Sequence, residues 1–105
     1  MLNAKIQKIY HNGSPVGYYT LYIPRDCEWA YIWDLNIAKD YRNKGIGTEE
    51  IKKVAEEYGT AYICPSNENS ERLYARLGTA ISKNQCPKEL VSVFDEIGKM
   101  YLICG

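Results

Sequence analysis

Near residue 45 the hydrophobic period of this chain changes, and that change limits the folds open to it. Before it, apolar and polar residues alternate. After it, apolar residues fall at Ile51, Val54, Ala55 and Tyr58, the i, i+3, i+4, i+7 spacing of one helix face. The junction is Gly45-Ile46-Gly47, with Thr48, Glu49 and Glu50 in the first turn of the expected helix and Gly59 as its stop. A strand passing through a glycine pair into an amphipathic helix reads as an α/β unit.

Upstream, Lys5 to His11 alternates, with Ile6, Lys8 and Tyr10 on one side and Gln7, Ile9 and His11 on the other. Asn12-Gly13 follows, a pair that tolerates the positive φ of a tight hairpin. Val16 to Ile23 is then the returning strand, stopped by Pro24. The polar stretch Arg25-Asp26-Cys27-Glu28 leads to a third strand, Trp29 to Ile37, which completes an antiparallel meander. Downstream, Ala61 to Cys64 is a short strand ended by Pro65. Ser70 to Leu77 is a second helix, with Leu73, Tyr74 and Leu77 on its apolar face and Gly78 closing it. Thr79 to Ser82 has strand character. After Pro87, the residues Leu90, Val91, Phe94 and Ile97 fit a third helix, while Val91-Ser92-Val93 equally fits an extended segment. Lys99 to Cys104 reads as the final strand.

The 105 residues suffice for one domain, 1–105, and not for two independent cores. Thirteen basic and thirteen acidic side chains cancel, which argues against binding nucleic acid or a membrane surface by bulk charge. No apolar run is long enough to span a membrane, and the start of the chain, Met1 to Lys8, has no apolar signal core. A cytoplasmic location is the expectation. The four cysteines, Cys27, Cys64, Cys86 and Cys104, are widely spaced and accompany a single His, so reduced thiols and no metal site are expected.

The chemistry concentrates between Asp34 and Thr48. A helix's first turn leaves N–H groups unpaired and carries partial positive charge, which favours anions. Glycines there let a phosphate approach the backbone, and Arg42 and Lys44 add cationic charge beside it. A pyrophosphate is the guest such a mouth would take, and a plain βα turn with glycines placed for packing is the other reading of this feature taken alone. Gly45-Ile46-Gly47 lacks the third glycine of a dinucleotide fingerprint, and no GxxxxGK[ST] run marks a triphosphatase.

The run Arg42-x-x-Gly45-x-Gly47, after a strand ending Leu35-x-Ile37, is similar to the pyrophosphate-binding motif of the GNAT superfamily of N-acetyltransferases. Asn67, then Leu73-Tyr74, then Leu77-Gly78 resembles that family's second signature, in the right order and at a spacing that suits one helix and one strand. Together the motifs cover residues 30 to 79. The resemblance implies an α/β fold of the α+β kind, a mixed, mostly antiparallel twisted sheet with helices on its faces. It also implies a splayed pair of strands that accepts acetyl-CoA (coenzyme A).

In such a site the backbone of Leu35, Asn36 and Ile37 holds the pantetheine arm, and the Ile37 N–H polarises the thioester carbonyl. The N–H groups of Arg42, Asn43, Lys44, Gly45, Ile46, Gly47 and Thr48 cradle the pyrophosphate. Asn67 bonds the pantetheine arm, and Tyr74 donates a proton to the departing thiolate. Tyr74 also fits as an ordinary apolar-face residue. The implied reaction is direct transfer of acetyl from acetyl-CoA to an amine. A non-catalytic acyl-CoA-binding or partner-binding module on the same fold is the alternative.

The sequence departs from the family pattern in places. Thr79 stands where Phe is frequent, Asn43 where Gly is, and Lys39 where Pro is; the changes at 43 and 39 do not block anion binding. About thirty residues precede Tyr31, enough for two strands, so the family's N-terminal helices are expected to be missing and the acceptor side to be open. A partner chain is one way to close it, and a homodimer is slightly favoured. For the base that must take the amine's proton, Asp34 and Glu28 are candidates, directly or through water, and His11, beside the Asn12-Gly13 turn, is a third; each reads more readily as a solvated surface residue. Strand alternation puts Asp34 and Asn36 on one face, and Trp33, Leu35 and Ile37 on the other.

Overall fold

A computed structural model describes residues 4–24 and 28–105. Met1–Asn3, and the part of the polar stretch containing Arg25, Asp26 and Cys27, lie outside the described residues. The strands are β1 (Ala4–His11), β2 (Ser14–Tyr22), β3 (Ala30–Ile37), β4 (Thr60–Ile63), β5 (Thr79–Ala80) and β6 (Tyr101–Cys104). The helices are α1 (Ile46–Tyr58), α2 (Glu68–Leu77) and α3 (Val91–Ile97). Among the described residues, no helix is long and apolar enough to cross a membrane.

The strands make one sheet in the order β1-β2-β3-β4-β6-β5. All neighbours are antiparallel except β3 and β4, which run parallel and are joined through α1. The meander forms as the sequence implies, turning at Asn12 and Gly13, both at positive φ. Several boundaries differ from expectation, among them β2, which begins at Ser14, and β6, which begins at Tyr101. Both long helices start two residues early, α1 at Ile46 and α2 at Glu68, and the strand after Gly78 shrinks to Thr79–Ala80. After Pro87 the chain makes a 3-10 turn, Lys88–Leu90, before α3, which settles that region as helix rather than strand.

Each sheet face carries its own core. Ile51, Val54 and Ala55 of α1 seal against Leu21, Ile32, Ala61 and Ile63, with Tyr74 of α2 in the same cluster. Full burial of each large aliphatic chain stabilises by about 1.5–3 kcal/mol. On the other face Tyr22, Tyr31 and Tyr62 pack with Leu90 and Met100, and Phe94 of α3 joins them. Ile6 and Tyr18 of the meander stay exposed.

The expected facing of β3 needs one correction. Tyr18 pairs with Asn36 and Thr20 with Trp33, so β3 holds one more residue than β2 between those points. Asp34 takes up the excess at φ +56°, a left-handed conformation that Asp tolerates better than most side chains. The bulge reverses the alternation. Trp33 stacks on Tyr31 on the second face, with ring centroids 5.2 Å apart, while Leu35 and Ile37 pack on the first face beneath α1. Trp33 therefore does not share a face with Leu35 and Ile37.

Candidate functional site

β4 pairs with β3 only as far as Ile63 opposite Ile32. The chain then leaves through Cys64 and Pro65, while β3 continues to Ile37, so the parallel pair opens into a fork. An open groove of about 990 Å³ starts in this fork, at Leu35, Asn36 and Ile37. It runs under the loop from Tyr41 to Thr48 and ends against α2.

The backbone of β3 is oriented for this groove. The Ala38 N–H donates to the Val16 carbonyl at 2.7 Å, toward β2. In an antiparallel ladder the groups of the preceding residue point the other way. Accordingly the Ile37 carbonyl accepts the Arg42 Nε–H at 2.8 Å, outside the β2–β3 ladder. The Ile37 N–H projects on that same side, where β4 no longer supplies a partner. Gly17 sits opposite Ile37, and a Cβ there would collide with the Asn36 carbonyl oxygen. Only glycine lets β2 lie this close to the end of β3.

The loop delivers donors to the groove. Gly45 caps α1 at φ +79°, and the helical ladder begins with Glu49 N–H to the Gly45 carbonyl at 3.0 Å. The N–H groups of Ile46, Gly47 and Thr48 therefore have no helical acceptor. Asn43 sits at φ +62°, a conformation Asn adopts more readily than other side chains, so it can stand for the frequent glycine. Two members of the expected cradle are placed differently. The Arg42 N–H turns back to the Lys39 carbonyl at 3.4 Å, so Arg42 presents its side chain instead. Lys44 lies over the Tyr41 ring, 5.9 Å from its centroid, and is not part of the groove wall.

Asn67 and Tyr74 come to the opposite wall. Asn67 is the N-cap of α2: its Oδ1 accepts the Ser70 N–H at 2.8 Å, and Ser70 Oγ accepts the Asn67 N–H at 3.0 Å. Its side-chain N–H₂ has no partner among the described residues and remains a donor. Tyr74 is 6% exposed and meets Tyr101 edge-on. Burial, with the Cys64 thiol a lesser cause, pushes its phenol above the usual value, so it is a protonated donor at neutral pH.

Asp34 stands apart. It is exposed on the bulge, accepts a hydrogen bond from Asn36 Nδ2 at 3.0 Å, and does not line the groove. Glu28 and His11 do not line it either. No Asp or Glu is among the described groove residues, whereas Arg42, Arg72 and Arg76 all are. The sequence reading missed Arg72 and Arg76. Their signal was present: Asn69, Arg72, Leu73 and Arg76 share the i, i+3, i+4, i+7 spacing of one α2 stripe, beside the apolar one.

Residues 4–79, which run from β1 through the fork and the glycine-opened helix to just past the end of α2, match the Acetyltransferase (GNAT) family pattern. The chain belongs to the GNAT family. The L-2,4-diaminobutyric acid acetyltransferase of Shouchella clausii is 29% identical over 89 residues, which cover 77% of this GNAT chain and 48% of the relative. The chain thus spans about half the length of that curated relative. Among solved structures, N-acetylglutamate synthase from Neisseria gonorrhoeae, complexed with coenzyme A and N-acetyl-glutamate, superposes with a TM-score of 0.73 at 13% identity. That match covers 94% of this chain and 25% of the synthase. A GNAT acetyltransferase from Elizabethkingia anophelis with acetyl-CoA bound gives 0.57 at 20% identity, covering 95% of this chain and 74% of the other. These likenesses establish the fold.

Proposed function

We propose that this GNAT chain binds acetyl-CoA in the groove and transfers the acetyl group to an amine. The observation that carries the reading is the fork itself: an unpaired strand half, a loop of free N–H groups and a buried phenol all face one groove without a carboxylate. Acetyl-CoA supplies the activated thioester, and the protein's part is to hold it and manage charge and protons. The free edge of Leu35–Ile37 matches the amides of a pantetheine arm, with the Asn67 N–H₂ as a further donor. The N–H groups of Ile46, Gly47 and Thr48, with the Arg42 guanidinium, answer a pyrophosphate. The Ile37 N–H is positioned to donate to a carbonyl oxygen as charge develops there, worth about 3 kcal/mol for a well-placed donor. Tyr74 is the proton donor to the leaving thiolate.

The relative's name puts amino-acid amines first among acceptors to assay. A second reading, a non-catalytic acyl-CoA-binding module, draws on the same wall composition, because no groove residue can take the amine's proton and Asp34 lies outside. The two readings share the cofactor site and part over turnover.

Thermal unfolding with saturating acetyl-CoA, CoA and ATP tests the site. A ligand at about 100 times its Kd adds about 2.7 kcal/mol, which raises the Tm of a domain this small by about 10 °C or more. A large shift with acetyl-CoA and CoA and little with ATP is expected. No shift with any of them overturns the reading.

A further inference from the structure

We infer that the open half of the second sheet face, over β1, β2 and the end of β3, is a two-fold interface for a second copy of this chain. This interface does not depend on the acetyl-CoA reading. On that face α3 and Leu90 pack over Tyr22, Tyr31 and Tyr62. The meander half beyond them is open. Ile9, Tyr19 and Leu21 are buried in the first core, so their neighbours Ile6, Lys8 and Tyr10 on β1, with Tyr18 and Thr20 on β2, point the other way. Ile6 is 68% exposed, Tyr10 60% and Tyr18 41%. Apolar residues scattered singly over a surface are ordinary, but a contiguous patch marks a contact surface.

The arrangement of charge on this patch selects the occupant. Lys8, Tyr18 and Asn36 are successive partners across β1, β2 and β3, and Ile6, Thr20 and Trp33 make the next row. Asn36 Nδ2 donates to Asp34 Oδ1 at 3.0 Å, which holds that carboxylate at the β3 end of the first row. Lys8 thus stands on one side of β2 and Asp34 on the other, about 10 Å apart across two strand spacings. Neither has an ion pair among the described residues. A partner of a single charge would satisfy only one of them, whereas a second copy satisfies both.

A two-fold axis lying in the interface and parallel to β2 exchanges the two sides. It sets Lys8 against Asp34 of the partner subunit, Ile6 against the partner's Trp33, and Tyr18 against the partner's Tyr18. Each off-axis contact then occurs twice, as in any isologous interface. The same axis keeps the strands of the two sheets aligned, the common geometry of face-packed sheets. Such sheets lie about 10 Å apart, a gap that a lysine from one side and a carboxylate from the other can bridge. The chain carries no formal net charge, so no overall repulsion opposes the pairing.

The test is sedimentation velocity on the whole chain over a range of concentrations. Wild type is expected to reach twice the mass of one chain, and Tyr18→Glu to stay a monomer with an unchanged far-UV spectrum. Lys8→Glu and Asp34→Lys each set like charges together at both contacts and should weaken dimerisation about tenfold or more. Mixed in equal amounts, these two variants should dimerise again, because the two new side chains attract and the two retained ones pair as before. Lys8→Gln and Asp34→Asn, the second readily held at positive φ, give a cycle in which the double variant loses no more than either single one. A wild-type chain that stays monomeric up to about 1 mM overturns the interface. A dimer that Tyr18→Glu leaves intact overturns its placement on this face. No recovery on mixing, or additive losses in the cycle, overturns the two-fold pairing of Lys8 with Asp34.

Discussion

The two halves of β3 are separated by a single bulge and obey opposite rules. Ala30, Tyr31 and Ile32 pair with β4, the last two also with β2, and all three are buried. Asn36 and Ile37 keep β2 on one edge, and from Leu35 on no strand among the described residues pairs with the other. Ile32 and Ile37 make the comparison sharp. They are the same residue type on the same sheet face, yet Ile32 is 1% exposed while Ile37 lines the groove. What separates them is where β4 stops, not their side chains. The paired half stabilises the domain, and the unpaired half has backbone groups left over to offer a ligand.

Variants can break this contrast in order of effect. Tyr74→Phe removes the phenol that faces the open half while keeping its ring in the core. It should lower kcat about 100-fold or more, the scale of lost general-acid catalysis, with KM for acetyl-CoA nearly unchanged. An unchanged kcat would remove Tyr74 from the proton path. Ile32→Ala acts on the paired half. In urea titrations it should cost about 2–5 kcal/mol of unfolding free energy, while CoA affinity of the folded protein stays put. If affinity falls with stability, the two halves are not separable.

Gly17→Ala sharpens the boundary between them. Its Cβ must displace the Asn36 carbonyl, at about 1–3 kcal/mol, and that displacement moves the strand that faces the groove. Here CoA affinity should fall along with stability, unlike Ile32→Ala. The smallest effect is in pH. Burial pushes the Cys64 thiol, just beyond the end of β4, from 9.0 up to about 11. The unfolded thiol therefore loses its proton first. Its contribution to stability is complete below pH 9 and is lost as pH rises toward 11. In melts across that window Cys64→Ala should flatten the decline, and an unaltered slope would assign it to the buried tyrosines, such as Tyr19, raised to about 12 chiefly by burial.

Much of this was legible in the residues. The period change at Gly45, the hairpin at Asn12-Gly13 and the helix at Leu73-Tyr74-Leu77 depend on local spacing, and each element formed within a few residues of its expected place. The motif residues Leu35, Gly47, Asn67 and Tyr74 meet at one groove for the same reason, since motif spacing fixes which ends of which elements come together. The facing of Trp33 was not legible, because nothing in Trp33-Asp34-Leu35 announces a bulge. Nor was the second task of Asn67, whose oxygen caps α2, although the Asn67-x-x-Ser70 spacing carries that signal.

The sequence by itself determined the order and kind of the elements, and the glycine-opened helix that favours an anion. Those features follow from backbone conformational preference and side-chain period, which act over a few residues. The tertiary structure alone decided where β3 loses its partner, which way Leu35 and Ile37 face, and that Arg72 and Arg76 line the groove with Arg42. Those depend on register, on a single extra residue in one strand, and on packing between elements distant in the chain. Local preference carries no information about any of them.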